Sequence, residues 1–174
     1  EISGHIDRVT KLSNLALRLY RWYVKNGHAR NEQDETGIRD FFTNNLPPDP
    51  ETITDFYERL YLYQSYCWYA FIRQDFLMYY RYSRTWIALF DAEPFMITVE
   101  TGHYVKGMHN LLNAHFDLRN YSEFETTLRK FEAFAKTPAA NLHDNFRVHT
   151  FVYINSARIN QHLMLGTFKE GLSL

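Results

Sequence analysis

A single cysteine, Cys67, occurs in the 174 residues, so no intrachain disulfide can form and stability must come from packing. That fits a reducing compartment, and a cytoplasmic location is expected. Glycine and proline are scarce, at 7 and 5, and fall mostly where helices would end. No apolar run approaches the roughly 18 residues of a membrane-spanning helix, and no signal peptide is visible, so no membrane partner is expected. The formal net charge of −1 leaves no basic surplus for nonspecific nucleic-acid or anionic-lipid binding, and no nucleic-acid partner is expected. No segment sustains an alternation of period two, and no Asn-Gly or Asp-Gly hairpin turn occurs. A Gly-rich phosphate loop, a zincin motif, a nucleophile elbow and a Cys-x-x-Cys pair are all missing. The expectation is a noncatalytic protein without cofactor or metal.

What is present is apolar periodicity: 45% of residues are hydrophobic and 17% aromatic, enough for one domain with a sizeable core. The clearest stretch is Tyr104–Ala135. Tyr104, Met108, Leu111, Leu112, His115 and Phe116 share one helical face; so do Tyr121, Phe124, Leu128, Phe131, Phe134 and Ala135. Leu118-Arg119-Asn120 joins the two, with Asn120 and Glu123 as an approximate capping box. A short loop makes the two helices antiparallel neighbours, and one such hairpin cannot bury both stripes alone.

Elsewhere the same signals place a helix over about 5–26, carrying Ile6, Val9, Leu12, Leu15 and Leu19 and stopped by Gly27. A shorter one covers about 34–45. Asp49-Pro50 opens a third, to about Arg73, and Asp75 caps a fourth to about Phe90. A fifth runs from about Phe95 to Leu118 and a sixth from Tyr121 to Ala135. A seventh covers about 141–165, and Thr167 with Glu170 opens an eighth by a capping box. The chain starts with Glu1 rather than Met and ends at Leu174 just inside that last helix. An excised piece of a longer protein is expected.

Phe76, Tyr121 and Phe168 each follow a short turn, and lie 45 and 47 residues apart. A long helix, a tight turn and a shorter helix recur, giving hairpins at about 5–46, 50–91, 95–136 and 141–174 within one domain over 1–174. A period in the range of about 20–50 residues points to a solenoid. Gly166-Thr-Phe168-Lys-Glu-Gly171 resembles the turn of a tetratricopeptide repeat: a glycine, an aromatic two residues on, and a small residue three further. Asn120-Tyr121-Ser-Glu-Phe124 and Gln74-Asp-Phe76-Leu-Met-Tyr79 are similar but degenerate, with Phe124 and Tyr79 at the small-residue position and repeats longer than the usual length. The resemblance covers about 50–174. It implies an all-α fold of seven to eight helices, stacked as a right-handed α-solenoid with a concave face that binds a protein or peptide. It places groove-facing side chains at Tyr61, Gln64 and Trp68, at Lys106, His109 and Asn113, and at Tyr153, Ser156 and Asn160.

Other chemistry competes with packing at a few positions. None of the eight histidines pairs with another at four-residue spacing. Glu100-Thr-Gly-His103 has the spacing of a di-iron ligand pair but lacks the second copy such sites need. It reads as a surface pair near a helix kink at Gly102. His115 reads as a core histidine and Cys67 as a buried thiol. The arginines and aromatics of 56–90 read as wide packing faces rather than a single-strand binding surface. Glu125, Arg129, Lys130 and Glu132 read as a solvated outer face. The favoured function is a noncatalytic scaffold or adaptor module. One alternative is an enzyme or small-ligand site in the aromatic region around Trp68 and Trp86. Another is a structural or dimerisation segment that self-associates through the C-terminal end at Leu172 and Leu174.

Overall fold

The computed structural model describes residues 2–173; Leu174 and the side chain of Phe168, both invoked above, lie outside the described set. Among the described residues the regular structure is all-helical, with no strand. The helices are α1 (Ile2–Asn26), α2 (Glu32–Asn45), α3 (Phe56–Arg73), α4 (Phe76–Ala92), α5 (Met96–Val99), α6 (Thr101–Asp117), α7 (Tyr121–Ala135), α8 (Asp144–Leu165) and α9 (Phe168–Gly171). Short 3-10 turns cover Pro50–Thr52 and Ala139–Asn141. The chain divides into two compact units, Glu1–Leu89 and Phe90–Leu174.

Several helix ends differ from expectation. Asp49-Pro50 opens only a 3-10 turn, without a side-chain cap bond. The long helix starts at Phe56, where the Asp55 carboxylate accepts the Glu58 N–H. That N-cap satisfies an orphan donor, which Asp49 does not. The expected fifth helix is cut at Glu100 (φ −119°, ψ 46°), two residues before the expected kink at Gly102. Asn120 precedes α7 but makes no side-chain cap bond, so the anticipated box with Glu123 does not form. The Thr167 hydroxyl is engaged by His162 Nδ1 at 2.8 Å.

In the first unit, Leu15 and Leu19 of α1, Ile38 and Phe42 of α2, and Tyr69 and Ile72 of α3 form one buried cluster. Each fully buried aliphatic side chain there contributes about 1.5–3 kcal/mol. Phe42 stacks on Tyr69 at 4.1 Å. The His28 Nδ1–H donates to the Phe71 carbonyl at 2.8 Å, and the Ala29 N–H to that of Ile72 at 2.9 Å, tying the α1–α2 connection to the end of α3. Tyr66, which meets Phe42 edge-on at 5.0 Å, also stacks on Tyr82 of α4 at 3.9 Å, and Cys67 lies buried with its Sγ 3.6 Å from Ser83 Oγ. Burial on α1 begins at Leu12; Ile6, counted above with the apolar period, is 59% exposed.

In the second unit, α6 packs on both α7 and α8, and α7 also meets α8. Most of the stripes read from sequence are buried, Tyr104, Met108, Leu111, Leu112 and His115 on α6 and Phe124, Leu128, Phe131 and Phe134 on α7, whereas Phe116, Tyr121 and Ala135 at their ends are only half-buried. Tyr104 meets Phe134 edge-on at 4.9 Å.

Three helix–helix turns share one backbone geometry. Gln74 (φ 56°), Arg119 (φ 57°) and Gly166 (φ 71°) are left-handed, each two residues before Phe76, Tyr121 and Phe168. The next N–H reaches back five residues in every case: Asp75 to Ala70 at 2.9 Å, Asn120 to His115 at 2.9 Å and Thr167 to His162 at 3.0 Å. These are Schellman closures. Gly171, the small residue of the last turn, lies so close to α8 that an added Cβ would sit 3.0 Å from His162 Cβ.

Candidate functional site

Lys106, His109 and Asn113 occupy one face of α6 at spacings of three and four, and Tyr153, Ser156 and Asn160 do the same on α8. Because α6 packs on α8, the two faces meet. The His109 ring stacks on Tyr153 at 3.9 Å between centroids, with the planes 14° apart. Asn113 Nδ2 lies 3.2 Å from His109 Nε2. An amide NH2 only donates, so Nε2 accepts and the imidazole proton sits on Nδ1. Lys106 Nζ stands 5.8 Å from the centre of the Tyr153 ring, within cation–π range. His149 of α8 lies against the Tyr153 ring at 5.9 Å, 21° from parallel. Ser156 and Asn160 continue this face of α8, exposed and half-buried respectively.

Burial, aided by the Lys106 ammonium, pulls the His109 pKa down to about 4. The ring is therefore neutral at pH 7 and free of like-charge conflict with Lys106. Burial likewise raises the Tyr153 phenol and keeps it protonated. Neutral rings stack without the cost of a desolvated charge.

A cavity of about 520 Å³ adjoins this array at the start of α6, lined by Glu100, His103, Lys106, Phe146, His149 and Tyr153 among others. Glu100 and His103 lie 3.8 Å apart, half-buried rather than on the open surface. Burial lowers the His103 pKa, and the opposing pull of Glu100 is the smaller effect. The contact is thus a carboxylate beside a neutral imidazole at pH 7, not a salt bridge. The lining offers ring faces, hydrogen-bond donors and acceptors, and one flanking ammonium at Lys106.

Tyr61, Gln64 and Trp68 lie half-buried on α3 in the first unit. Trp68 packs in the α1–α3 seam, 5.2 Å from Tyr20, 5.8 Å from Tyr23 and 5.8 Å from Phe71 between ring centres. Trp86 is buried. Sequence reasoning missed His149 and Phe146 in the second unit. The signal for His149 was its position four residues before Tyr153, which places both on one helix face. It also missed the outward face of α8, where Val148, Phe151, Val152, Ile159 and Leu163 are 45–68% exposed. Among the described residues, no helix is long and apolar enough to cross a membrane. No family model matches the sequence, and no curated protein or solved structure shows significant similarity to it.

Proposed function

We propose that the chain is a noncatalytic, tetratricopeptide-like helical-repeat module that binds an extended peptide or protein segment across the α6–α8 face. The observation that carries this reading is the His109–Tyr153 stack with Asn113 and Lys106 around it, beside an open cavity. Side-chain amides and hydroxyls there match the alternating donors and acceptors of an extended backbone, while the Tyr153 and Phe146 rings give apolar footing. Support for the solenoid arrangement comes from within each unit. α1 packs on α3, and α6 on α8, as first helices of successive hairpins do in a solenoid. The shared backbone geometry of the turns at Gln74, Arg119 and Gly166 fits a recurring helix–turn–helix unit. Neutral His109 and protonated Tyr153 suit recognition rather than proton transfer at pH 7.

The test is a phage-displayed peptide library panned against the 174-residue protein, with selected peptides re-measured on Tyr153→Ala and Asn160→Ala. Loss of at least tenfold in affinity on Tyr153→Ala is expected. Peptides that bind both variants as tightly as the wild type would overturn the assignment of this face.

A second reading, self-association through the C-terminal end, is favoured by Leu172, which is 89% exposed, and by the apolar outward face of α8. Removal of residues 167–174 then converts a dimer to a monomer in light scattering. A wild-type protein that is monomeric at high micromolar concentration would sink it.

A further inference from the structure

We infer that His5, Asp55 and Glu58 form a binding site for a divalent transition-metal cation of the zinc type. The three donors come from two elements, the first turns of α1 and the start of α3, and all lie within 4.8 Å of one another. The imidazole stands between the carboxylates: His5 Nδ1 is 2.9 Å from Glu58 Oε1 and His5 Nε2 is 3.7 Å from Asp55 Oδ2. Asp55 divides its labour. Its Oδ1 accepts the Glu58 N–H at 3.0 Å and fixes the cap, while Oδ2 faces His5. Nitrogen and carboxylate donors in one cluster suit zinc, manganese or iron rather than calcium or magnesium, which prefer all-oxygen shells.

Charge points the same way. The Glu58 side chain is only 5% exposed, an unusual position for a carboxylate. Its fixed positive partner is Arg8, whose Nε donates at 3.1 Å from a side chain that is 58% exposed. Lys11 lines the same cavity but is paired with Asp7 at 2.8 Å. Two carboxylates therefore share one permanently charged partner in this cluster, Arg8, and a divalent cation would add positive charge where they converge. The donors border a cavity of about 570 Å³ that is also lined by residues of the 45–54 connection. That volume leaves room for waters to complete the coordination and for the cation to enter. A cation here would also bond the start of α1 to the start of α3.

Arg8 is a competitor in this arrangement, and that makes the proposal directional. The experiment is calorimetric titration of chelator-treated protein with Zn2+, alongside visible absorption with Co2+ and thermal unfolding with and without Zn2+. Wild type is expected to bind one equivalent that raises Tm. His5→Ala, at a residue with a 39% exposed side chain, is expected to weaken that equivalent at least tenfold and abolish the Tm shift. Arg8→Ala is expected to tighten it severalfold by freeing Glu58. The proposal is overturned if neither wild type nor Arg8→Ala binds Zn2+ at millimolar concentration. Binding that His5→Ala leaves unchanged also overturns it, because the cation then sits on other histidines.

Discussion

His109 makes the chain sensitive to acid in a way that one substitution can isolate. Its pKa falls from the usual 6.5 to about 4 on folding, first through burial and then through Lys106. Between those values the unfolded chain binds more protons than the folded one, so stability is complete above pH 6.5 and lost as pH falls towards 4. Every tenfold loss of proton affinity is worth about 1.36 kcal/mol, which sets a ceiling of roughly 3 kcal/mol, of which about 2 kcal/mol is lost by about pH 5. His103, also lowered by burial, acts in the same direction, and Asp117, raised by burial, acts oppositely in its own lower range. Those contributions are common to wild type and to His109→Phe, which keeps a ring on Tyr153 but cannot titrate. The groups facing His109 are Lys106 and Asn113 on α6 and Tyr153 on α8, with His149 also beside the Tyr153 ring. Urea unfolding at pH 7.5 and pH 5 should show the wild type losing about 2 kcal/mol more than His109→Phe. The variant is less stable at pH 7.5, since Asn113 loses its acceptor, but its stability falls less with acid. Parallel pH profiles for the two proteins would refute a buried, neutral His109.

The remaining predictions concern packing and backbone. Gly166→Ala should cost about 1 kcal/mol by urea unfolding. An added Cβ meets nothing within 4 Å there, so the left-handed φ of 71° is the whole cause; an unchanged midpoint would contradict that conformation. Leu19→Ala, in the α1–α2–α3 cluster, should lower stability by about 2–5 kcal/mol, and a loss under about 1 kcal/mol would contradict its complete burial. Cys67 is 3% exposed, so a thiol reagent should modify it only as fast as the chain opens, with rates that climb in urea; prompt stoichiometric labelling in buffer would contradict its packing against Ser83.

Much of the secondary structure was legible because it rests on local patterns. The α7 boundaries follow from a 3.6-residue stripe ended by Thr137-Pro138, and Asp75 caps α4 as expected, accepting the Met78 N–H at 3.0 Å. Boundaries set by competition between nearby signals were not legible. Asp49-Pro50 is the opening read from sequence, and only the bond actually made by Asp55 moves the start of the helix to Phe56. Gln74 and Arg119 carry no sequence mark of a left-handed residue. Their conformation is imposed by the helices they join, at about 1–2 kcal/mol each.

The candidate site divides in the same way. Periodicity by itself determined that Lys106, His109 and Asn113 share a face of α6, and Tyr153, Ser156 and Asn160 a face of α8, because residues three and four apart always do. It also determined the all-helical character of the described residues and most of the inward stripes of α6 and α7. Tertiary structure alone decided that His109 lies on Tyr153, that the ring is consequently neutral, and that Trp68 packs in the α1–α3 seam. It alone brought His5 within reach of Asp55 and Glu58, some fifty residues away in sequence. The physical reason is that a face follows from local geometry, whereas contact, burial and hence charge state depend on which distant helix covers it.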